Sequence, residues 1–61
     1  MSNIKIISRM LWNRVSISDI AEKLDIAVDE VVDMLNTKMT VMERYEVLSA
    51  INEIIMERDI S

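Results

Sequence analysis

Apolar side chains recur along the chain at intervals of three and four residues, which is the spacing of amphipathic α-helices. The helices predicted from this spacing cover residues 3–13, 16–24, 28–35 and 40–58. Gly and Pro are absent, so the breaks between the helices must be set by capping residues. We therefore predict an all-α fold, a compact four-helix domain that takes up residues 1–61 as a single unit.

Two of the predicted helix starts carry the pattern of a capping box, in which a hydroxyl and an acidic side chain three residues later each accept a backbone hydrogen bond. Ser16 with Asp19 gives an approximate box, and Thr40 with Glu43 gives a better one. Asp25 opens the break between the second and third helices. The backbone there tends toward positive φ, a region that Asp tolerates better than most residues.

The predicted apolar faces of the first and fourth helices are unusually broad. In the first helix one face holds Ile4, Ile7 and Leu11, and it is widened by Ile6, Met10 and Trp12. In the fourth helix the expected inward rows are Val41, Tyr45, Leu48 and Ile55 beside Val47, Ile51 and Ile54. A domain of this size buries a small share of its surface, so in a monomer part of these apolar faces would be exposed to solvent. We expect a homodimer whose interface contains Ile4, Ile7, Leu11, Trp12, Ile51 and Ile55.

Three large side chains have two open interpretations each. Trp12 is interpreted as a core or dimer-core residue in preference to a binding anchor, although Trp is enriched at binding hot spots. Met39 and Met42 flank Thr40, and they form either an adaptable contact patch or a pair partly buried under the first helix.

The second and third helices have the apolar spacing of a helix-turn-helix. Two helices that cross steeply over a short turn need a small residue at the crossing, and Ala21 supplies it. The wedge between the helices is filled by Ile20, Leu24, Ile26 and Val31. A plain helical hairpin has similar spacing, so the pattern favours a helix-turn-helix and leaves a simple bundle open.

The segment "SISDIAEKLDIAVDEVVDMLN" and the later "TVMERYEVLSAINEI" resemble the DNA-binding headpiece of the lactose-repressor family. The matching positions are Ser16, Asp19, Ile20, Ala21, Val31, Leu35, Asn36, Thr40, Arg44, Val47, Ala50, Ile51, Glu53 and Ile54. The resemblance implies a helix-turn-helix transcription regulator, with an additional first helix as in small phage repressors. The base-reading side chains of that family are not carried over, because residues 27–33 here are apolar or acidic.

Charge is unevenly distributed along the chain. Seven Lys and Arg stand against eleven Asp and Glu, which gives a net charge of −4. Residues 1–15 contain Lys5, Arg9 and Arg14 without an acid, whereas residues 16–35 contain Lys23 and six acids. Because duplex DNA is held largely through Lys and Arg contacts to phosphates, the acidic third helix weighs against DNA binding.

Three functions therefore remain open. The first is a homodimeric helix-turn-helix regulator of phage-repressor type that binds double-stranded DNA. Its candidate phosphate contacts are Lys5, Arg9, Arg14, Lys38 and Arg44, with internal ion pairing as the alternative role of the arginines. The second is an antirepressor or inhibitor that binds a DNA-binding regulator through the acidic third helix or an apolar face. In both, the residues that face DNA or the partner are Ala27, Val28, Asp29, Glu30, Asp33, Asn36 and Thr37. The third is a self-associating structural module with no specific ligand.

His and Cys are both absent, so nucleophile–base pairs and zinc sites cannot be assembled. We predict no enzyme activity, no cofactor, no metal site and no small-molecule substrate. Asp25, Asp29 and Asp33 share a helical spacing, which a solvated acidic face explains better than a metal site does. No apolar run is long enough to span a bilayer, so we expect a soluble cytoplasmic protein without a membrane partner.

Overall fold

The computed structural model describes residues 3–60, and these residues form four α-helices and no strand. The helices are α1 (Ile4–Trp12), α2 (Ile17–Leu24), α3 (Val28–Asn36) and α4 (Val41–Ile60). The all-α four-helix prediction is confirmed, and each helix end lies within about two residues of its expected position. The domain measures 34 × 22 × 17 Å, with α4 as its longest element.

Both predicted capping boxes are present. At the start of α2, the Asp19 backbone N–H donates to Ser16 Oγ over 3.0 Å, and the Ser16 N–H donates to Asp19 Oδ2 over 2.9 Å. At the start of α4, the Glu43 N–H donates to Thr40 Oγ1 over 3.1 Å, and the Thr40 N–H donates to Glu43 Oε1 over 2.8 Å. Each box satisfies backbone donors that have no partner within the helix, which fixes where the helix begins.

Two residues with positive φ make the turns that flank α2. Asp25 has φ 58° and ψ 46°, which confirms the left-handed conformation predicted there. The next N–H, that of Ile26, donates back to the carbonyl of Ala21 over 3.0 Å. Arg14 has φ 55°, a conformation that the sequence did not predict. Neither turn contains Gly, so the chain makes both reversals with residues that carry a Cβ.

All four helices and two of the connections contribute to one apolar core. Its buried members are Ile6, Met10, Val15, Ile20, Ala21, Val31, Met39, Val47, Ile51 and Ile54. Leu24 and Ile26 are partly buried against this cluster, as expected for the wedge between α2 and α3. Met39 lies in the core whereas Met42 is exposed, so these two residues do not form one patch.

The predicted broad face of α1 is divided between the core and the surface. Ile6 and Met10 are buried, but Ile4, Leu11 and Trp12 are 64, 74 and 86 % exposed. A core role for Trp12 within the protomer is therefore wrong. The side chain of Asn3 is buried and joins the start of α1 to the end of α3, which fixes the orientation of α1. Its Nδ2 donates to the carbonyls of Leu35 and Thr37 over 2.9 and 2.8 Å.

Of the two inward rows predicted for α4, one is buried and the other is turned outward. Val47, Ile51 and Ile54 are in the core together with Ala50. In the second row Val41 and Tyr45 are 83 and 69 % exposed, and Leu48 and Ile55 are half-buried. Ile51 is 0 % exposed, so its assignment to a dimer interface is corrected, because it has no surface to offer a partner. One helix cannot bury both rows when its neighbours cover one side.

Candidate functional site

An apolar groove runs between the outer side of α1 and α3. Its walls are Ile7 and Leu11 of α1 and Val32 and Leu35 of α3, and it has a volume of about 340 Å³. We call it the α1–α3 groove. Ser16 and Ile17, at the start of α2, line one end of it. Its walls are almost entirely hydrocarbon, and it is open to solvent along its length.

The apolar surface extends beyond the groove toward the start of α1. Ile4, Ile7 and Leu35 line an adjoining depression whose polar side is formed by Thr37 and Lys38. The row Ile4, Ile7 and Leu11 advances by three and then four residues, so it follows one side of α1. These three residues were predicted to lie at an interface, and the structure places them together on the surface beside α3.

The outer side of α3 is acidic. Asp29, Glu30 and Asp33 are all exposed, and α3 contains no Lys or Arg to offset them. Within residues 3–60, no ion pair reaches any of the three carboxylates. Thr37 donates its Oγ1 hydrogen to the backbone carbonyl of Asp33 over 2.9 Å and does not contact the Asp33 carboxylate. The complete predicted surface is exposed, namely Ala27, Val28, Asp29, Glu30, Asp33, Asn36 and Thr37.

The candidate phosphate-binding cations come from α1, α4 and the connections that follow α1 and α3. Lys5 and Arg9 lie on α1, Arg14 lies in the turn after it, and Lys38 and Arg44 line a shallow pocket near the start of α4. None of the five forms an ion pair in the part of the chain that the structure describes. Arg9 instead donates from Nη2 to Asn52 Oδ1 over 2.6 Å. Internal ion pairing, the alternative role for the arginines, is therefore not seen for Arg9, Arg14 or Arg44.

The ion pairs that the structure does form join α2 to the end of α4. Arg58 Nη2 lies 3.0 Å from Asp19 Oδ2, while Nη1 donates to the carbonyls of Asn13 and Arg14, both over 2.9 Å. Lys23 pairs with Glu57 and lies 4.0 Å from Glu53. These partners are separated by 30 or more residues, so no local pattern in the sequence indicated them.

These contacts shift the pKa values of Asp19 and Lys23. The backbone N–H of Ser16, with help from Arg58, lowers the pKa of Asp19 below its ordinary value. The hydrogen bond to Glu57 raises the pKa of Lys23, and the charges of Glu57 and Glu53 act in the same direction. Both groups are paired inside the domain. Both groups line a shallow cleft between α2 and α4, where their ion pairs join the two helices.

Two classes of site are missing from the described residues. No group of three or more Asp or Glu side chains in residues 3–60 is placed to hold a metal ion. Among the helices α1 to α4, none is both long enough and apolar enough to cross a membrane.

The fold and its surface define a small all-α four-helix domain with an apolar groove beside an acidic helix. Comparison of the chain with protein-family models, curated proteins and solved structures finds no match. The functional argument therefore rests on the surface of the domain itself.

Proposed function

We propose that this domain is a helix-turn-helix-type interaction module that binds another protein through α3 and the α1–α3 groove. The observation that supports this proposal is the composition of the α3 surface. Asp29 and Asp33 are exposed and unpaired within residues 3–60, and one helical turn away Val32 and Leu35 line an apolar groove. A charged edge beside an apolar channel is typical of surfaces that bind an amphipathic helix.

The same surface is poorly suited to the DNA backbone. In a helix-turn-helix the second helix enters the major groove, where phosphates lie on both sides of it. Here that helix is α3, and its exposed side would carry Asp29, Glu30 and Asp33 between two rows of negative charge. One carboxylate can accept a hydrogen bond from cytosine N4, but three on one short helix add repulsion with no compensating cation.

The partner that this chemistry fits is a helix with apolar anchors and a basic edge. Leu or Ile side chains at three- and four-residue spacing would enter the α1–α3 groove, and Lys or Arg beside them would face Asp29 and Asp33. DNA-binding regulators expose basic surfaces of this kind. The proposed role is therefore that of an antirepressor or inhibitor, which occupies the DNA-binding surface of such a regulator.

The test uses two designed helical peptides with identical Leu positions, one with Lys and the other with Glu at the flanking positions. We expect the Lys peptide to shift the NMR signals of Ile7, Leu11, Val32 and Leu35 and to bind more weakly as salt rises, because its charges are screened. The Glu peptide should not bind. Leu11→Glu should abolish binding of the Lys peptide, and Asp29→Asn with Asp33→Asn should remove most of its salt dependence.

Equal binding of the two peptides, or signal shifts confined to another surface, would refute this proposal. Circular dichroism of each variant provides the folding control. Leu11 is mostly exposed in the protomer, so its replacement removes no core packing.

A second candidate is a homodimeric regulator that binds duplex DNA. It is favoured by the exposure of Lys5, Arg14 and Lys38, none of which is committed to an ion pair within residues 3–60. A mixed-sequence duplex titrated at several salt concentrations separates the two candidates. Steep salt-dependent binding that is lost in the triple variant Lys5→Ala, Arg9→Ala, Arg14→Ala would support the regulator. Binding only after Asp29, Glu30 and Asp33 are changed to Asn, Gln and Asn would support the protein-binding function.

A further inference from the structure

The outward side of α4 carries a regular row that the core does not use. Its members are Val41, Tyr45, Leu48, Asn52 and Ile55. The intervals along this row are four, three, four and three residues, which is the alternation of the a and d positions in a coiled coil. We call these five residues the α4 seam.

Much of the seam is open to solvent. Val41 and Tyr45 are among the most exposed apolar residues of the domain, Asn52 is exposed, and Leu48 and Ile55 are half-buried at the edge of the core. Met42 and Met56 widen the apolar stripe on one side and are themselves exposed. No residue of this stripe is charged.

The helix α4 has one apolar side in the core and a second apolar side that is exposed to solvent. The inner side is buried through Val47, Ile51 and Ile54, so α4 is apolar on opposite faces. A contiguous exposed apolar surface on a small domain commonly marks an interaction site. From Val41 to Ile55 the seam extends about 21 Å at 1.5 Å per residue, which is two heptads. The longest dimension of the whole domain is 34 Å.

We propose that the α4 seam is covered by the α4 seam of a second copy of this chain. The argument for this occupant is the single polar position in the row. A lone Asn at an a position of a coiled coil weakens the pairing but selects register and a two-stranded state, provided that the partner offers a polar group opposite it. A second copy in parallel orientation offers such a group, because Asn52 then meets the Asn52 of the copy.

The hydrogen bonds of Asn52 are consistent with this arrangement. Its Oδ1 accepts a hydrogen bond from Arg9 Nη2, which holds the amide in place from the α1 side. Its Nδ2 donates to no acceptor among residues 3–60, so a donor is left for a partner. The net charge of −4 does not oppose the contact locally, because no residue of the stripe is charged.

The proposal does not depend on the α1–α3 groove, which is formed by other helices. It places the dimer contact on α4 instead of on the Ile4, Ile7 and Leu11 row of α1. That row is then left available to a different protein. The two surfaces can therefore be tested separately.

The experiment is sedimentation equilibrium of the full chain over a wide concentration range. We expect a monomer–dimer equilibrium. Tyr45→Glu and Val41→Glu should each weaken it about tenfold or more, because a buried carboxylate would face the apolar row of the copy. Leu11→Glu, an equally exposed apolar residue outside the seam, is the matched control and should leave the dimer constant unchanged.

Asn52→Leu gives a second readout that does not depend on disrupting the contact. Because this variant lacks the polar residue of the seam, it should associate more tightly or form assemblies larger than a dimer. A monomer at high concentration would overturn the proposal, and so would a dimer that Leu11→Glu dissociates while Tyr45→Glu and Val41→Glu do not. Loss of peptide binding in the Leu11→Glu variant with an intact dimer would leave both proposals standing.

Discussion

Asp25 shows how one residue ends a helix when no Gly is available. Its backbone lies in the left-handed region, which allows the Ile26 N–H to reach the Ala21 carbonyl and starts the turn toward α3. A residue with a Cβ is strained in this conformation, although Asp is strained less than most. The domain therefore stores a small amount of conformational energy at this position.

We expect Asp25→Gly to stabilise the domain by about 0.5 to 1 kcal/mol, because Gly adopts positive φ without a Cβ contact. Asp25→Val should destabilise it, since a β-branched residue tolerates this region poorly. Urea denaturation monitored by circular dichroism gives both values. Equal stability of the Gly and Val variants would show that the backbone conformation at this position contributes no strain.

Asp19 links the stability of the domain to pH. Its carboxylate accepts from the Ser16 N–H and pairs with Arg58, and its pKa is lower in the folded state than in the unfolded chain. The stabilisation is therefore complete above the unfolded pKa of about 3.9 and is lost as the pH falls through the folded value.

Asp19→Asn should consequently destabilise the domain at pH 7, and the difference from the native chain should shrink as the pH falls below about 4. Thermal melts between neutral and acid pH measure this convergence. Asp33→Asn is the matched control and should stay close to the native chain, because no hydrogen bond to its carboxylate forms within residues 3–60. A destabilisation by Asp19→Asn that persists unchanged at low pH would contradict the role assigned to the charge.

At the scale of elements, the orientation of α1 depends on Asn3. This side chain is buried, and its amide satisfies carbonyls at the end of α3 that have no partner within that helix. With this contact in place, Ile6 and Met10 lie in the core, and Ile4 and Leu11 lie on the surface. Hydrogen bonds from Asn3 join the start of α1 to the end of α3, and the α1–α3 groove lies between the two helices on their exposed side.

Asn3→Ala should cost about 1 to 3 kcal/mol, because it leaves two part-buried carbonyls at the end of α3 without their donor. Asn13→Ala is the control, since Asn13 makes a local, exposed hydrogen bond to the Arg9 carbonyl. Denaturant unfolding gives the stabilities, and NMR signals of Leu11 and Val32 report the groove. If Asn3→Ala were no worse than Asn13→Ala, the buried amide would not be the anchor of α1.

At the scale of the whole molecule, the two proposed surfaces divide most of the exposed apolar residues between them. The α1–α3 groove and the depression beside it contain Ile4, Ile7 and Leu11, and the α4 seam with its flanking methionines contains those of α4, whereas Trp12 and Val28 lie outside both. A dimer through α4 would therefore present two grooves, so a dimeric partner would be bound at two points with an avidity that neither contact has alone.

Dimerisation should also make the thermal stability depend on protein concentration. A tenfold rise in concentration contributes about 1.4 kcal/mol to a dimer-linked equilibrium, so the Tm should rise by several degrees. The Tyr45→Glu variant should show the same rise only at concentrations about tenfold higher or more. A native Tm that stays constant over a hundredfold range of concentration would exclude a dimer that is coupled to folding.

Much of the site was predictable residue by residue, but its arrangement was not. The exposure of Asp29, Glu30 and Asp33 was expected from their spacing on one helix. The groove beside them was not expected, because Val32 and Leu35 come together with Ile7 and Leu11 only once α1 is placed. The contacts of Arg58 with Asn13, Arg14 and Asp19 have no counterpart in any local pattern.

The sequence by itself determined the four helices, their ends and the left-handed residue at Asp25. These features depend on hydrogen bonds and side-chain spacing within about five residues, which a linear pattern contains in full. The tertiary structure alone decided which apolar rows of α1 and α4 are buried and which remain on the surface. That choice depends on contacts across 30 or more residues, such as Asn3 with Leu35 and Arg58 with Asp19. Where a helix is apolar on two sides, both faces fit the same pattern, and only its packing against the other helices separates core from interface.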